Sequence, residues 1–165
     1  MTEAVASVRP VQPADVPRVC QLVRDLAAYE RAPAEAVMTD EQLHEALFGD
    51  RISLYGHVAE IDAIVVGFAV WFRNFSTWRG QHGIYLEDLF VAPEHRGSGV
   101  GKALLAALAR ECVAQGYPRL EWWVLNWNAP SIAFYHSLGA IAMNEWTVFR
   151  LTDEALAALA GGGSD

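Results

Sequence analysis

Positive charge is what this sequence has little of: 12 Lys and Arg stand against 20 Asp and Glu, a formal net charge of −8. Proteins that bind nucleic acid draw much of their affinity from Lys and Arg on phosphates, so no nucleic-acid partner is expected. A cationic small substrate suits the charge better. Cysteine is scarcer still. Cys20 and Cys112 stand alone in apolar helical patterns, where a free Cys behaves as a small buried hydrophobe. His44, His57 and His136 show no metal-ligand spacing, and His82 and His95 fall in loops, so no metal is expected. No apolar run reaches membrane-spanning length, and no basic patch with an apolar core and cleavage site opens the chain. The expectation is a cytoplasmic, reduced protein with no membrane partner. Internal repeats are also absent.

What is present is a hydrophobic fraction of 53% in 165 residues, enough for one well-buried domain over 1–160 with a flexible glycine tail over 161–165. Ser7 to Val11 reads as a short strand. Val16 to Tyr29 carries Val16, Val19, Cys20, Val23, Leu26 and Ala27 at helical spacing. Thr39 with Gln42 three residues on is a capping-box pattern for a second helix ending near Gly49. Ile52 to Glu60 and Ala63 to Phe72 read as an antiparallel hairpin turning at Ile61-Asp62, and Asn74 to Gly83 as a connecting loop that contains Trp78. A long helix follows, with Leu104, Leu105, Leu108, Ala109, Cys112 and Val113 on its apolar stripe, stopped by Gly116 and Pro118. Leu120 to Asn126 is a strand, Ser131 to Leu138 a helix started by Asn128-Ala129-Pro130, Ala140 to Met143 and Trp146 to Leu151 two more strands, and Thr152 to Ala160 a helix. Helices interleaved with strands after an opening hairpin predict a mixed α/β sheet.

The stretch Tyr85 to Lys102 predicts a strand, a glycine-rich turn and a helix start. Arg96, Gly99 and Gly101 are spaced R-x-x-G-x-G, so backbone N–H groups converge at a helix N-terminus suited to an anion. A nucleotide P-loop fails because Arg96 stands at its first glycine position and Ala103 at its magnesium-binding hydroxyl. A dinucleotide fold fails because the glycines alternate at 97, 99 and 101 and the chain has no second nucleotide-binding half. Two readings stay open: a pyrophosphate cradle for a carrier such as coenzyme A, or a glycine-rich turn that binds nothing. Upstream, Glu87 and Asp88 interrupt an apolar strand. They either face solvent or do chemistry, and in a regular strand they would point to opposite faces.

The segment Tyr85 to Lys102, joined to Asn126-Trp127-Asn128-Ala129-Pro130-Ser131 and Phe134-Tyr135, resembles the GNAT acetyltransferase superfamily, in particular its diamine (spermidine/spermine) N-acetyltransferase branch. The likeness extends to Leu26-Ala27 with Tyr29-Glu30, to Phe48-Gly49, to Ser76-Thr77-Trp78 and to Gly139-Ala140. It implies an α/β fold with a mixed, mostly antiparallel central sheet, splayed at the cofactor cleft and flanked by helices. It implies acetyl-CoA as co-substrate, its pantetheine arm lying along Leu89, Phe90 and Val91 and its pyrophosphate on Arg96, Gly97, Ser98, Gly99, Val100, Gly101 and Lys102. Asn128, Ser131 and Tyr135 would approach from the other side.

An alkylammonium has a pKa near 10.4, so a transferase for amines benefits from a proton acceptor. In the matching motif Glu87 takes that role, although a carboxylate that only binds the ammonium needs the same placement. Asp88 reads at least as well as a hydrogen-bond acceptor, for a neighbouring backbone group or the substrate's distal amine, as it does as a catalytic group. Tyr135 lies one turn after Ser131 and matches the acid that protonates the departing thiolate; its spacing alone fits a core tyrosine better. No Cys or Ser-His pair suggests an acyl-enzyme, which favours direct transfer.

Tyr29, Glu30, Trp78, Glu87 and Asp88 are the candidate substrate residues, pairing aromatic faces with carboxylates at two distances. Where polyamine enzymes carry an acid before the tryptophan, this chain has Ser76-Thr77, resembling the thialysine-type branch. The substrate role of Glu145 is left open because the loop from Gly139 to Trp146 looks shorter than in the animal polyamine enzymes. The resemblance thus points to thialysine, lysine analogues or short diamines above spermidine and spermine. A non-catalytic acyl-CoA sensor and a ligand-free structural dimer remain alternatives. The resemblance also implies a homodimer, for which Trp122, Trp123, Trp127 and Trp146 supply apolar surface, unless they are core.

Overall fold

The computed structural model describes residues 6–161; most of the expected tail lies outside the described residues. The backbone divides into two compact units, one ending at Leu125 and the other beginning at Asn126.

The first unit is built on a five-stranded sheet in the order β1 (Ser7–Pro10), β2 (Tyr55–Ile61), β3 (Ile64–Ser76), β4 (Gln81–Val91) and β5 (Leu120–Glu121). The first four strands pair antiparallel, and β5 joins β4 in parallel, so the sheet is mixed and mostly antiparallel. Pairing of β4 with β5 is limited to Ile84↔Leu120 and Tyr85↔Glu121. Beyond Tyr85, β4 runs on to Val91 with no strand on that side among the described residues.

The hairpin between β2 and β3 turns on Asp62 and Ala63, with φ of 51° and 63°. Two consecutive left-handed residues are what a two-residue hairpin turn of the type I′ kind requires, which places the turn one residue later than the sequence suggests. The loop expected over Asn74 to Gly83 is shorter than the sequence implies. β3 continues to Ser76, β4 starts at Gln81, and an edge-on Phe75–His82 ring pair 5.1 Å apart joins the extended strands. Such cross-strand aromatic pairs are a stabilising unit of a sheet.

Helices α1 (Val16–Tyr29) and α2 (Asp40–Phe48) pack on one face of the sheet. The predicted capping box is present: Thr39 Oγ1 accepts from Gln42 N at 3.3 Å, and Gln42 Oε1 accepts from Thr39 N at 3.0 Å. Val19, Cys20 and Leu22 of α1 and Leu43 of α2 meet Val58, Phe68, Val70 and Phe90 of the sheet in a buried cluster. Burying one such side chain stabilises the fold by about 1.5–3 kcal/mol. Helix α3 (Val100–Gln115) buries Leu104, Leu105, Leu108 and Cys112. Arg9 ties β1 to the chain before α1 and to β2 through Asp15 and Glu60, and holds the Asp15 carboxyl below its ordinary pKa.

The second unit holds α4 (Ala129–Ser137) and α5 (Asp153–Ala160). Asn128 caps α4 by accepting from Ser131 N at 3.3 Å, and Gly139 ends it with φ 85°. The strands expected over Ala140 to Met143 and Trp146 to Leu151 are not formed, and the same residues leave Ile141, Met143, Trp146, Val148, Phe149 and Leu151 exposed. A strand requires a neighbour to hydrogen-bond, and a strand-like apolar pattern without one stays irregular.

Candidate active site

The glycine turn joins β4 to α3. Gly97 and Gly99 adopt φ of 78° and 84°, the left-handed region that disfavours a side chain. A Cβ added at either would meet nothing within 4 Å, so it is the backbone conformation, and not packing, that calls for glycine. Ala103 N to Gly99 O, 2.9 Å, is the first hydrogen bond of α3. Arg96 N donates to Pro93 O at 3.2 Å, and the amides from Gly97 to Lys102 have no backbone acceptor among the described residues. They form a concave set of donors at a helix N-terminus, where the helix dipole adds partial positive charge. Lys102 is exposed in the first helical turn, Val100 is buried, and Ser98, also exposed, donates through Oγ to His95 O at 2.7 Å.

Arg96 is anchored at the end of β4. Its Nε donates to Val91 O at 3.0 Å, and its guanidinium lies 4.8 Å from the Tyr29 ring centre and 5.0 Å from that of Phe90. Stacking between two aromatic rings fixes the plane of the guanidinium and keeps its charge. One side chain therefore joins the last residue of α1 to the glycine turn.

β4 departs from regular alternation where it matters for chemistry. Leu86 pairs with Trp71 and Asp88 pairs with Val70, so Glu87 is an additional residue in a bulge. Bulges re-aim side chains and increase local twist. Val70, opposite Asp88, belongs to the core cluster under α1, and Phe68, opposite Phe90, does too. Asp88 thus shares the α1 face with Phe90. Glu87 is exposed, whereas Asp88 is partly buried and has no hydrogen bond or ion pair among the described residues. Burial, then the charges of Glu87 and Glu30, pushes the Asp88 carboxyl up to about 6. Glu30, the residue after α1, is itself raised by burial.

The first unit accordingly brings together Tyr29, Glu30, Glu87, Asp88, Phe90 and Arg96. Leu89 and Val91 continue β4 opposite Ala69 and Gly67. A Cβ on Gly67 would sit 3.0 Å from Phe90 O, so a small residue there lets the strands close up. Trp78 stands apart from this group at the tip of the β3–β4 hairpin, 91% exposed. Ser76, beside it, accepts from Gly80 N at 2.8 Å through its carbonyl and from Arg79 N at 3.3 Å through Oγ, so it shapes the turn. Sequence reasoning passed over Tyr85. Burial and the nearby charges of Glu87, Glu121 and Asp88 push its phenol up to about 12, and its ring packs on Phe72 at 5.0 Å and edge-on to Trp123 at 5.7 Å. Its signal was its place two residues before the acidic pair.

In the second unit, Tyr135 follows Ser131 by one turn of α4 and packs against Phe134, centroids 5.5 Å apart. Its carbonyl accepts from Leu138 N and Ala140 N, both at 3.1 Å. Asn128 is buried and uses Oδ1 to cap the helix.

No group of three or more His, Cys, Asp or Glu side chains among the described residues is arranged to hold a metal ion, and no helix among them is long and apolar enough to cross a membrane.

Comparison with known proteins bears on these features. The profile of the acetyltransferase (GNAT) family matches residues 20–140. A thialysine N-epsilon-acetyltransferase from Bos taurus is 33% identical over 169 residues, covering 96% of this chain and 99% of its own. An L-ornithine N5-acetyltransferase from Arabidopsis thaliana is 30% identical, covering 92% of this chain and 86% of its own. Among solved structures, an integron cassette protein of V. cholerae superimposes with a TM-score of 0.80 at 24% identity, over 95% of this chain and 98% of its own, a likeness of fold.

Proposed function

The chain belongs to the acetyltransferase (GNAT) family and is an N-acetyltransferase; from that premise we propose that it moves the acetyl group of acetyl-CoA to a primary amine of a small lysine-like or di-cationic substrate. The observation that carries this reading is the pairing of an amide-lined, Arg96-flanked glycine turn with a carboxylate pair on the strand leading into it. The turn suits pyrophosphate, with Arg96, Gly97, Ser98, Gly99, Val100, Gly101 and Lys102 around it. The unpaired side of β4 at Leu89, Phe90 and Val91 suits an extended pantetheine arm, which carries amide groups of its own. Asn128 and Ser131 join the cofactor set on the family motif.

The amine arrives as an ammonium and loses a proton with the help of Glu87. Its nitrogen lone pair attacks the thioester carbonyl, and the C–S bond breaks as the amide forms. Tyr135 gives the thiolate a proton. Tyr29, Glu30, Trp78 and Asp88 complete the substrate set, with aromatic faces and carboxylates for a cation. Substrate choice follows the relatives named for thialysine and ornithine, both amino acids with a side-chain amine. The same reading takes 1–160 as one working domain in the cytoplasm, and the protein as a homodimer in which the exposed apolar residues from Ile141 to Leu151 are covered by the partner.

The test is a panel of thialysine, ornithine, putrescine and spermidine with acetyl-CoA, read as kcat/KM. Preference for thialysine or ornithine supports the reading; clear preference for spermidine replaces it with polyamine acetylation. Tight acetyl-CoA binding with no turnover on any amine replaces it with a sensor.

A further inference from the structure

Two adjacent carboxylates on β4 are offered to one ammonium, and the structure treats them differently. Glu87 is the additional residue of the bulge and is exposed. Asp88 sits in register opposite Val70 on the face covered by α1, partly buried, with no donor satisfying it among the described residues. Its oxygens still reach solvent on the open side, and a carboxylate half withdrawn from water with no protein donor or cation beside it is costly, which points to a role beyond packing. The charged groups around it are of one sign: Glu87 on its own strand and Glu30 from the end of α1. Tyr85, three residues before it, stays a neutral phenol, and Arg96 is engaged with Val91 O, Tyr29 and Phe90. β3 contributes only apolar Val70 opposite it.

We propose, on the acetyltransferase reading above, that Asp88 is the immediate acceptor of the substrate's ammonium proton and that exposed Glu87 hands that proton on to solvent. The N–H bond of R–NH3+ breaks and an O–H bond forms on Asp88. The freed lone pair forms the N–C bond, and the C–S electrons leave on sulfur. The resulting N-protonated adduct gives its second proton to the thiolate by way of the acid, leaving amide and thiol. The proton on Asp88 passes to Glu87 and to water, which resets the site.

The setting improves the acceptor. An ordinary Asp carboxyl titrates at 3.8 and Asp88 at about 6, so its proton affinity is closer to that of an amine by roughly two pH units, about a hundredfold in the proton-transfer equilibrium. Below pH about 6 the free enzyme holds Asp88 as the neutral acid, which neither attracts an ammonium nor takes its proton. Activity therefore falls on the acid side with a midpoint set by Asp88. Glu30 and Glu87 raise that midpoint by repulsion, so neutralising either one lowers it.

The experiment is the pH dependence of kcat/KM for the best amine of the panel in the wild type, Asp88→Asn, Glu87→Gln and Glu30→Gln. Acetyl-CoA calorimetry and thermal melts check that each variant is folded, and 13C NMR of the Asp carboxyls follows the titration directly. The wild type is expected to show an acid limb near pH 6 matched by one carboxyl resonance. Asp88→Asn is expected to bind acetyl-CoA normally, lose that resonance and limb, and fall about 10²–10³-fold in kcat. Glu30→Gln is expected to keep the limb and move it to lower pH, a shift that a purely structural role for Asp88 would not produce. Asp88→Asn with wild-type kcat and an unchanged limb overturns the assignment while leaving the acetyltransferase reading intact. A wild type inert toward every amine overturns that reading, and the role of Asp88 with it.

Discussion

Up to Leu125 the chain buries most of its apolar side chains against the sheet, with Leu22, Phe68, Leu104 and Leu108 all at 0% exposure. From Asn126 on, no large hydrophobic side chain is buried among the described residues, and Phe149 is 92% exposed. The two regions have similar apolar richness and opposite outcomes. In the first, the buried stripes face an element of the same unit: α1 and α2 against the β2–β3–β4 ladder, and α3 on the same sheet, although Ala109 and Val113, expected on the stripe of α3, stay exposed. In the second, no strand forms over Trp146 to Leu151 among the described residues. That apolar surface is what the proposed homodimer would cover.

The largest expected effect tests the first region. Leu22→Ala removes a fully buried side chain and is expected to cost about 2–5 kcal/mol in denaturant unfolding. The sharper test is its counterpart, Phe149→Ser, which would change stability by no more than about 0.5 kcal/mol if nothing covered that ring. The dimer proposal expects more: sedimentation velocity should show dissociation to monomer, and melting should become dependent on protein concentration. A monomeric wild type would remove the contrast's proposed cause.

Next in size comes Asp88. Its carboxyl is raised from 3.8 to about 6 in the fold. Such a group favours the folded state below its unfolded pKa, and the benefit is lost as pH rises through the folded value. At pH 8 the buried charge is thus a burden, and Asp88→Asn is expected to raise stability by about 1–3 kcal/mol, with the gain fading toward pH 4. Equal stability of the two proteins at pH 8 would contradict the burial argument. Gly99→Ala forces a side chain into φ 84° and is expected to cost about 1–2 kcal/mol and to weaken acetyl-CoA binding in calorimetry. Thr39→Ala removes the cap of α2, for about 1 kcal/mol, with no effect on turnover.

How far each feature was legible follows the same division. The limits of α1, the capping box of α2, the turn at Gly97 to Gly101 and the Asn128 cap of α4 are written in local chemistry, and each was read from a few adjacent residues. The bulge at Glu87 was not, because an additional residue in a strand depends on the register with β3, and nothing at Glu87 itself announces it. For that reason the inequality of Glu87 and Asp88 emerged only from the fold. The coupling of Asp88 to Glu30 was equally hidden, since 58 positions separate them in sequence. The extension of β3 and β4 past Asn74 went unread because polar residues and a tryptophan resemble a loop, while Phe75 and His82 pair only across the ladder. Residues 140–151 show the converse error: the sequence reads as two strands, and none forms there among the described residues, because the neighbour that a strand requires is not written in adjacent residues.

The central claim is direct transfer from acetyl-CoA to a bound amine, and the most direct measurement is thiol release from acetyl-CoA with and without thialysine, alongside the mass of the intact protein. The account predicts thiol release only when the amine is present, one acetylated amine per thiol, and a protein mass unchanged by acetyl-CoA alone. A burst of thiol with acetyl-CoA alone, accompanied by an acetylated protein, would contradict it.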